Sequence, residues 1–505
     1  MPASAAIFDL LVVGGGINGA GIARDAAGRG LSVLLCERDD LASATSSWST
    51  KLIHGGLRYL EHYEFRLVGE SLAEREVLLR LAPHLVEPLS FVLPHEPHLR
   101  PAWMIRAGLF LYDRLGGRMS LPKSHGVDLA KSRWGAGLQN RFKTGFVYAD
   151  ARVDDARLCV INAMSARAHG AEIRVRTRFA GAAREDGVWR ALLEGPSGRE
   201  EVRARAIVNA GGPWVADVLR ETDAKPTGAS VRHVKGSHIV VPRVHQEEHA
   251  YILQNSDNRI VFVIPYQERY SLIGTTDVPV DEYDVPRISD AEIDYLIDLA
   301  NAYLAKPLTR GDVAWTYAGV RPLYDDGASD PSAITRDYVL KVDALDGPPG
   351  PDRAPVLSIY GGKITTYRKL AEAALLELAP YFPAMTGAWT ANEALPGGDL
   401  ASGDRAALLA SLCARYPSIP VDVLRPLARR HGSLAFTVLG EARTLDDLGE
   451  SFGAGLTARE VDYLVDNEWA HEPDDVLWRR TKCGLPMTAA QRARAGAYVR
   501  SRAGR

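Results

Sequence analysis

Residues 8–19 read FDLLVVGGGING, and what surrounds them decides the first half of the fold. The apolar run Phe8 to Val13 predicts a buried strand. Three glycines follow at once, and Ala20 to Ala27 continue in a helix-compatible pattern that ends near Gly28. A second apolar run, Leu31 to Cys36, ends in Glu37, giving a strand, helix and strand with the length that a right-handed parallel crossover needs. Gly14, Gly16 and Gly19 fall at G-x-G-x-x-G in the context that gives this spacing meaning. Gly14 permits a sharp turn, Gly16 a close backbone approach to a pyrophosphate, and Gly19 tight packing of helix on strand. The helix N-terminus then offers unpaired N–H groups to phosphate. Glu37 is placed to accept from a ribose hydroxyl and to repel a 2′-phosphate, which favours FAD or NAD over NADP.

Outward from this unit, 505 residues imply two to four structural units. Sixty basic against 63 acidic residues leave a net charge of -3, so no global field gathers nucleic acid and any anion must be held locally. Cys36, Cys159, Cys413 and Cys483 are widely separated and form no Cys-x-x-Cys, which argues against metal ligation and a disulfide framework and fits a reducing compartment. Met1 to Ile7 lack the basic and apolar regions of a secretory leader. The most apolar helix-like stretch, Ala102 to Tyr112, is interrupted by Arg106 and is too short to span a bilayer.

Phe65 to Leu81 carry helical periodicity, and the proline spacing from Pro83 to Pro101 predicts irregular connections and edge strands. Val231 to Val241 and Arg259 to Gly274 are rich in β-branched and aromatic residues, with Gln267 and Glu268 as a hairpin turn. They predict an antiparallel sheet inserted between nucleotide-binding segments. Ser289 with Glu292 and Thr457 with Glu460 each have capping-box spacing. After Pro396-Gly397-Gly398 the pattern is helical almost to Arg505, and Asp346 to Pro355 read as a surface loop. Two further strand ends carry small residues: Ala206 to Trp214, with Gly211, and Val356 to Thr366, with Gly362, Lys363 and Thr365. The segment TSSWSTKLIHGGLRY, Thr45 to Tyr59, is too polar for a core strand and reads as a ligand-lining loop or a solvated connection. Three such edges suggest one extended cofactor.

These motifs, with Lys235 to Val240, Gly274 to Asp277, Gly319 to Leu323 and Ile334 to Tyr338, closely resemble the FAD-dependent glycerol-3-phosphate dehydrogenases of bacterial aerobic respiration, from about Phe8 to the last helices. The resemblance rests on long runs, TSSWSTKLIHGGLRYLE and GGKITTYRK. Departures are few: Trp48 stands where a small residue is usual, Gly211 where threonine or alanine is common, and the 346–355 loop is long. The implied class is α/β, with a Rossmann-type FAD-binding domain (1–95, 140–225 and 350–395), an inserted, mostly antiparallel β substrate domain (96–139 and 226–349) and a C-terminal α-helical domain (396–505).

The resemblance implies FAD as cofactor, and with no obvious FAD-linking cysteine or histidine in the chain noncovalent binding is the expectation. Gly14, Gly16, Gly19, Glu37, Thr45, Ser46, Ser47, Lys51, Leu52, Gly211, Gly362, Lys363 and Thr365 are expected to hold it. It implies sn-glycerol 3-phosphate as substrate, with the phosphate on Arg58 and Arg336 beside Tyr59, since planar guanidinium groups suit bidentate phosphate capture. Arg321 is expected to stabilise developing alkoxide charge and His238 or His54 to accept the hydroxyl proton. Lys363 is expected to stabilise the reduced flavin. Membrane quinone is the implied electron acceptor, with peripheral attachment to the inner face of the cell membrane and a homodimer within the range of assemblies. Trp103, Met104, Ile105, Leu109, Phe110 and Leu111 among Arg100, Arg106, Arg114 and Arg118 form the expected membrane contact. The basic run Arg479, Arg480, Lys482, Arg492 and Arg494 is the second possibility. A glycerol-3-phosphate oxidase making hydrogen peroxide and a non-catalytic FAD-binding scaffold are the alternative readings.

Overall fold

The computed structural model describes residues 7–96, 100–225, 228–255, 259–325 and 337–504. The first sheet is built on the opening motif. Its central strand, Ile7–Val13, pairs in parallel with Val33–Cys36 on one side and Gly198–Asn209 on the other, and Leu10, Leu11 and Val12 have no solvent exposure. A continuous apolar run is what a strand covered on both faces requires. The order across the sheet is Val339–Asp343, Val356–Tyr360, Gly198–Asn209, Ile7–Val13, Val33–Cys36, Glu172–Arg174, with a hairpin of Arg178–Glu185 and Val188–Gly195 on the long strand. Helices Ile17–Gly28, Asp155–Ala168 and Tyr367–Leu378 share an apolar cluster with this sheet.

The second sheet is antiparallel apart from one pair, and its order runs Val278–Pro279, Val231–Pro242, Tyr270–Gly274, Ile260–Tyr266, His249–Gln254, Val86–Pro94, Thr144–Val153, Leu52–Ile53. The expected hairpin turns at Gln267 and Glu268, both in the left-handed region at φ 46° and 61°, the geometry whose twist matches flanking strands. Trp315–Tyr324 pairs with residues 231–240 of strand Val231–Pro242.

Sheet membership departs from the expected boundaries. Leu52–Ile53, Val86–Pro94 and Thr144–Val153, expected with the first unit, belong to the second sheet, and Val339–Asp343 belongs to the first. Nor is Val86–Pro94 irregular or at an edge, for it lies between two strands. Leu89, Phe91 and Leu93 pack into one apolar cluster and Val92 into another, and burial on both faces outweighs the ladder bond that Pro88 cannot donate.

The C-terminal unit is helical, with Arg405–Arg415, Val421–His431, Ala435–Leu439, Ala458–Glu468 and Ala489–Ala503 around two apolar clusters. Ser289 and Glu292 form the expected capping box on helix Asp290–Asn301. Thr457 does not: its side chain makes no cap bond, and the reciprocal arm is lost because Glu460 is committed to Arg430 and His431 in the interior, with oxygens 2.6 and 2.7 Å from the guanidinium and 2.9 Å from the imidazole.

Candidate active site

The opening glycines meet the end of the neighbouring strand. Gly14 sits at φ 112°, and a Cβ there would lie 2.5 Å from the Ala210 carbonyl oxygen. A Cβ on Gly19 would lie 2.0 Å from the Gly14 oxygen, so Gly19 packs helix on turn and does not itself reach the cavity. Glu37 closes the other side: Gly15 N–H donates to Oε2 at 2.6 Å and Asp39 N–H to Oε1 at 2.8 Å. Burial lifts this carboxyl to about 7, against the opposing effect of those two donors. Around them opens a cleft of about 1280 Å³, walled by Gly14, Gly16, Glu37, Thr45, Ser46, Gly211 and Gly362 among others.

A second cavity of about 1050 Å³ continues from the first, and Ile17, Thr45, Ser46, Pro322, Gly361 and Gly362 line both. Its wall is largely the hydroxyl-rich loop. Ser46 Oγ accepts from the Ile17 N–H at 2.9 Å, holding the loop across the start of the helix, and Thr45 Oγ1 donates to the Val320 carbonyl at 2.6 Å. From the second sheet come His238 and Arg321. Leu52, His54 and Tyr59 come from the loop, and Lys363 and Thr365 from the third strand end.

The charged groups here are fixed in place. Arg321 pairs with Asp277 and donates to Thr275 Oγ1 at 3.0 Å. His238 stacks on Tyr317 with centroids 4.6 Å apart, its Nε2 is 3.1 Å from Thr50 Oγ1, and its buried Nδ1 has no hydrogen-bond partner among the described residues. Burial first, then the Arg321 and Lys51 cations, hold His238 well below the usual histidine range. Burial and the Lys363 ammonium lower His54 to about 3. Both rings are therefore neutral at physiological pH and can accept a proton, although neither titrates near neutrality as their residue type suggested.

Several expected residues lie elsewhere. Lys51 Nζ is buried against Asp155 at 2.8 Å and the Ser47 carbonyl at 2.8 Å, so it anchors the base of the loop and does not face the cavity. Ser47 is buried in the same turn. Arg58 is half-buried and lines neither cavity, because the 3-10 segment Leu57–His62 directs the next residue, Tyr59, inward instead. Arg336 falls outside the described residues. The basic run near the C-terminus is mostly turned inward: Arg480 pairs with Asp40 and Lys482 with Asp154, both nearly without exposure.

Four participants carried no role in the sequence reading. Thr50, Tyr317 and Asp277 position the histidine and the arginine, and Asn18 lines the first cavity with a buried Oδ1 that has no hydrogen-bond partner among the described residues. Asp277 was visible only as part of a quoted motif. Trp48, the conspicuous departure, lines the second cavity. Its indole N–H donates to the Ser43 carbonyl at 3.3 Å, and its Cβ sits where a Cβ on Gly319 would come within 2.7 Å.

The cavities fit a flavin dinucleotide. Paired glycine turns leave backbone open, Glu37 at the end of the second strand and Asn18 line the first chamber, and Lys363 lines the second. The family model described as FAD dependent oxidoreductase matches residues 9–342, and that for the C-terminal domain of alpha-glycerophosphate oxidase matches 388–499. The aerobic glycerol-3-phosphate dehydrogenase of Escherichia coli is 52% identical, covering 97% of each chain. The D-erythritol 1-phosphate dehydrogenase of Brucella abortus is 48% identical, covering 96% of each. The structure of glycerol-3-phosphate dehydrogenase from Bacillus halodurans complexed with FAD superposes with a TM-score of 0.73 at 27% identity, covering 98% of this chain and 94% of that one. The chain thus belongs to the FAD-dependent oxidoreductases and, within them, to the bacterial aerobic glycerol-3-phosphate dehydrogenases.

Proposed function

We propose that this chain oxidises sn-glycerol 3-phosphate to dihydroxyacetone phosphate on a noncovalently held FAD. The observation that carries the reading is the continuity of the two cavities, which puts a nucleotide-shaped cleft in line with a chamber lined by Arg321, Lys363, His54 and His238. FAD when bound supplies the acceptor for the hydride leaving the carbinol carbon. Gly14, Gly16 and the helix start would receive its pyrophosphate, Glu37 its ribose, and Gly362 with Lys363 its ring end. Arg321 and Lys363 complement a substrate with two negative charges. Arg321, oriented by Asp277 and Thr275, holds negative charge as it develops on the substrate oxygen. A neutral His238, steadied by Thr50 and Tyr317, takes the hydroxyl proton, with His54 as the second candidate.

Electrons then pass to membrane quinone from an enzyme resting on the inner face of the membrane. Among the described residues no helix is long and apolar enough to cross a bilayer. Helix Ala102–Leu115 buries only Leu109 and Tyr112 and leaves Trp103 69% and Phe110 57% exposed, with Met104 and Leu111 beside them. Through Leu109 and Tyr112 it packs on the same apolar cluster as Leu57, Tyr59 and Leu60, so the helix adjoins the wall of the second cavity. Dimer formation is a further proposal of the same reading.

Anaerobic addition of glycerol 3-phosphate to the purified yellow protein should bleach its flavin absorbance, with erythritol 1-phosphate markedly slower. Reoxidation by quinone without peroxide separates the dehydrogenase from an oxidase. Absence of bleaching with either polyol phosphate would overturn the assignment.

A further inference from the structure

The ammonium of Lys363 lies over the face of Tyr59, 3.7 Å from the ring centroid. Both side chains line the second cavity, and the backbone preceding each is shaped to bring them together. Tyr59 follows Gly56, whose φ of 81° belongs to the left-handed region, and a Cβ at that position would lie 2.2 Å from both Cδ2 and Cε2 of the tyrosine. Glycine at 56 therefore lets the ring fold back across the chain. Lys363 follows Gly361 and Gly362, at φ 77° and 102°, which turn the chain out of strand Val356–Tyr360. A lysine on its own is a flexible stem carrying a hydrated point charge, whereas over an aromatic face it has a preferred seat.

We propose that Tyr59 is a positioning residue whose ring seats the Lys363 ammonium at the cavity wall before substrate enters. The ring does this work, whatever the hydroxyl contacts. The inference rests on the flavin reading given above. With the cation seated, its field is already aimed where negative charge collects on the reduced cofactor, and no reorganisation is needed at the moment of reaction. Burial first, and then this same field, lower the pKa of His54.

The test uses holoenzyme of Tyr59→Phe, Tyr59→Leu and Lys363→Met, with FAD content, flavin midpoint potential and steady-state kinetics measured on each. Tyr59→Phe keeps the π face and should match the wild type in FAD content and flavin midpoint potential. Tyr59→Leu should keep its FAD, move the potential in the negative direction as Lys363→Met does but by less, and lower kcat about tenfold with little change in KM, the size of one desolvated cation–π contact. A potential unmoved in Tyr59→Leu overturns the proposal. So does a Tyr59→Phe variant that shifts as far as Tyr59→Leu, which would put the effect in the hydroxyl. If Tyr59→Leu does not fold, the Phe variant alone still decides that second point. Wild-type protein that holds no FAD would instead sink the flavin reading itself.

Discussion

Arg321 shows how a single side chain acquires a role from its surroundings. Its guanidinium is tied to Asp277 and Thr275, so it keeps one direction whether or not anything binds. A preorganised donor aimed at developing charge typically accounts for about 10²–10³ in rate. Arg321→Ala should accordingly lower kcat by about that factor while FAD content stays near that of the wild type, because none of its contacts reaches the glycine turns. Rapid flavin reduction in the variant, followed by stopped flow, would remove Arg321 from the chemistry. The histidines give a second residue-scale expectation. Burial and nearby cations lower both folded pKa values, so each ring stays neutral as pH falls through the ordinary histidine range. Between pH 5 and 8 kcat should therefore show no acid limb from His238 or His54, whereas kcat/KM should follow the second ionisation of the substrate phosphate near about 6. A kcat limb at the usual histidine pKa, absent from His238→Asn, would contradict this.

At the scale of elements, helix Asp290–Asn301 reaches the site through one carboxylate. Glu292 caps its own helix at Ser289, accepts from Ser237 Oγ and Thr276 Oγ1 at 2.8 Å each, and pairs with Lys235 at 2.9 Å. It thereby ties the helix to strand Val231–Pro242 and to the 274–277 segment that orients Arg321. Its folded pKa is depressed to about 2, despite the opposing effect of burial, by the bonds from Lys235, Ser289, Ser237 and Thr276. Its stabilising contribution is thus present above the ordinary carboxylate range and lost as pH falls towards about 2. Glu292→Ala should cost about 2–4 kcal/mol near neutrality, read as a lower Tm, and a Tm difference that does not shrink on acidification would refute the linkage. Helix Ala102–Leu115 makes the other element-scale prediction. Changing Trp103 and Phe110 together to Asp should abolish co-sedimentation with anionic vesicles while dye-linked turnover persists; unchanged sedimentation would place the membrane contact elsewhere.

At the scale of the whole molecule, the C-terminal unit is joined to the first by buried ions as well as apolar surface. Arg157, on helix Asp155–Ala168, pairs with Glu468 and donates to the Arg430 carbonyl at 3.1 Å, and neither side chain of the ion pair has any exposure. Arg480 reaches Asp40 from the same unit. Removing one partner of such a pair leaves a charge buried without compensation, at about 3–5 kcal/mol. Arg157→Met should lower Tm by several degrees, and Glu468→Gln in the same chain should recover part of the loss; independent, additive effects would mean that the two residues do not act as a pair.

The glycine turn, the acid at the end of the second strand, the Gln267–Glu268 hairpin and the Ser289–Glu292 cap could all be read from the chain alone. Each rests on contacts a few residues apart or on a backbone angle that only certain residues adopt. Thr457 and Glu460 have the same spacing as Ser289 and Glu292 and yet form no capping box, since Arg430 and His431, distant in sequence, claim the carboxylate. Lys51 and Arg58 likewise sit in the most informative motif of the chain and face away from its cavities, because Asp155 captures one and the turn at Gly56 directs Tyr59 inward in place of the other. Which strands join which sheet, and which cations remain to line the chamber, were settled by long-range packing and charge pairing, energies that a linear pattern does not contain.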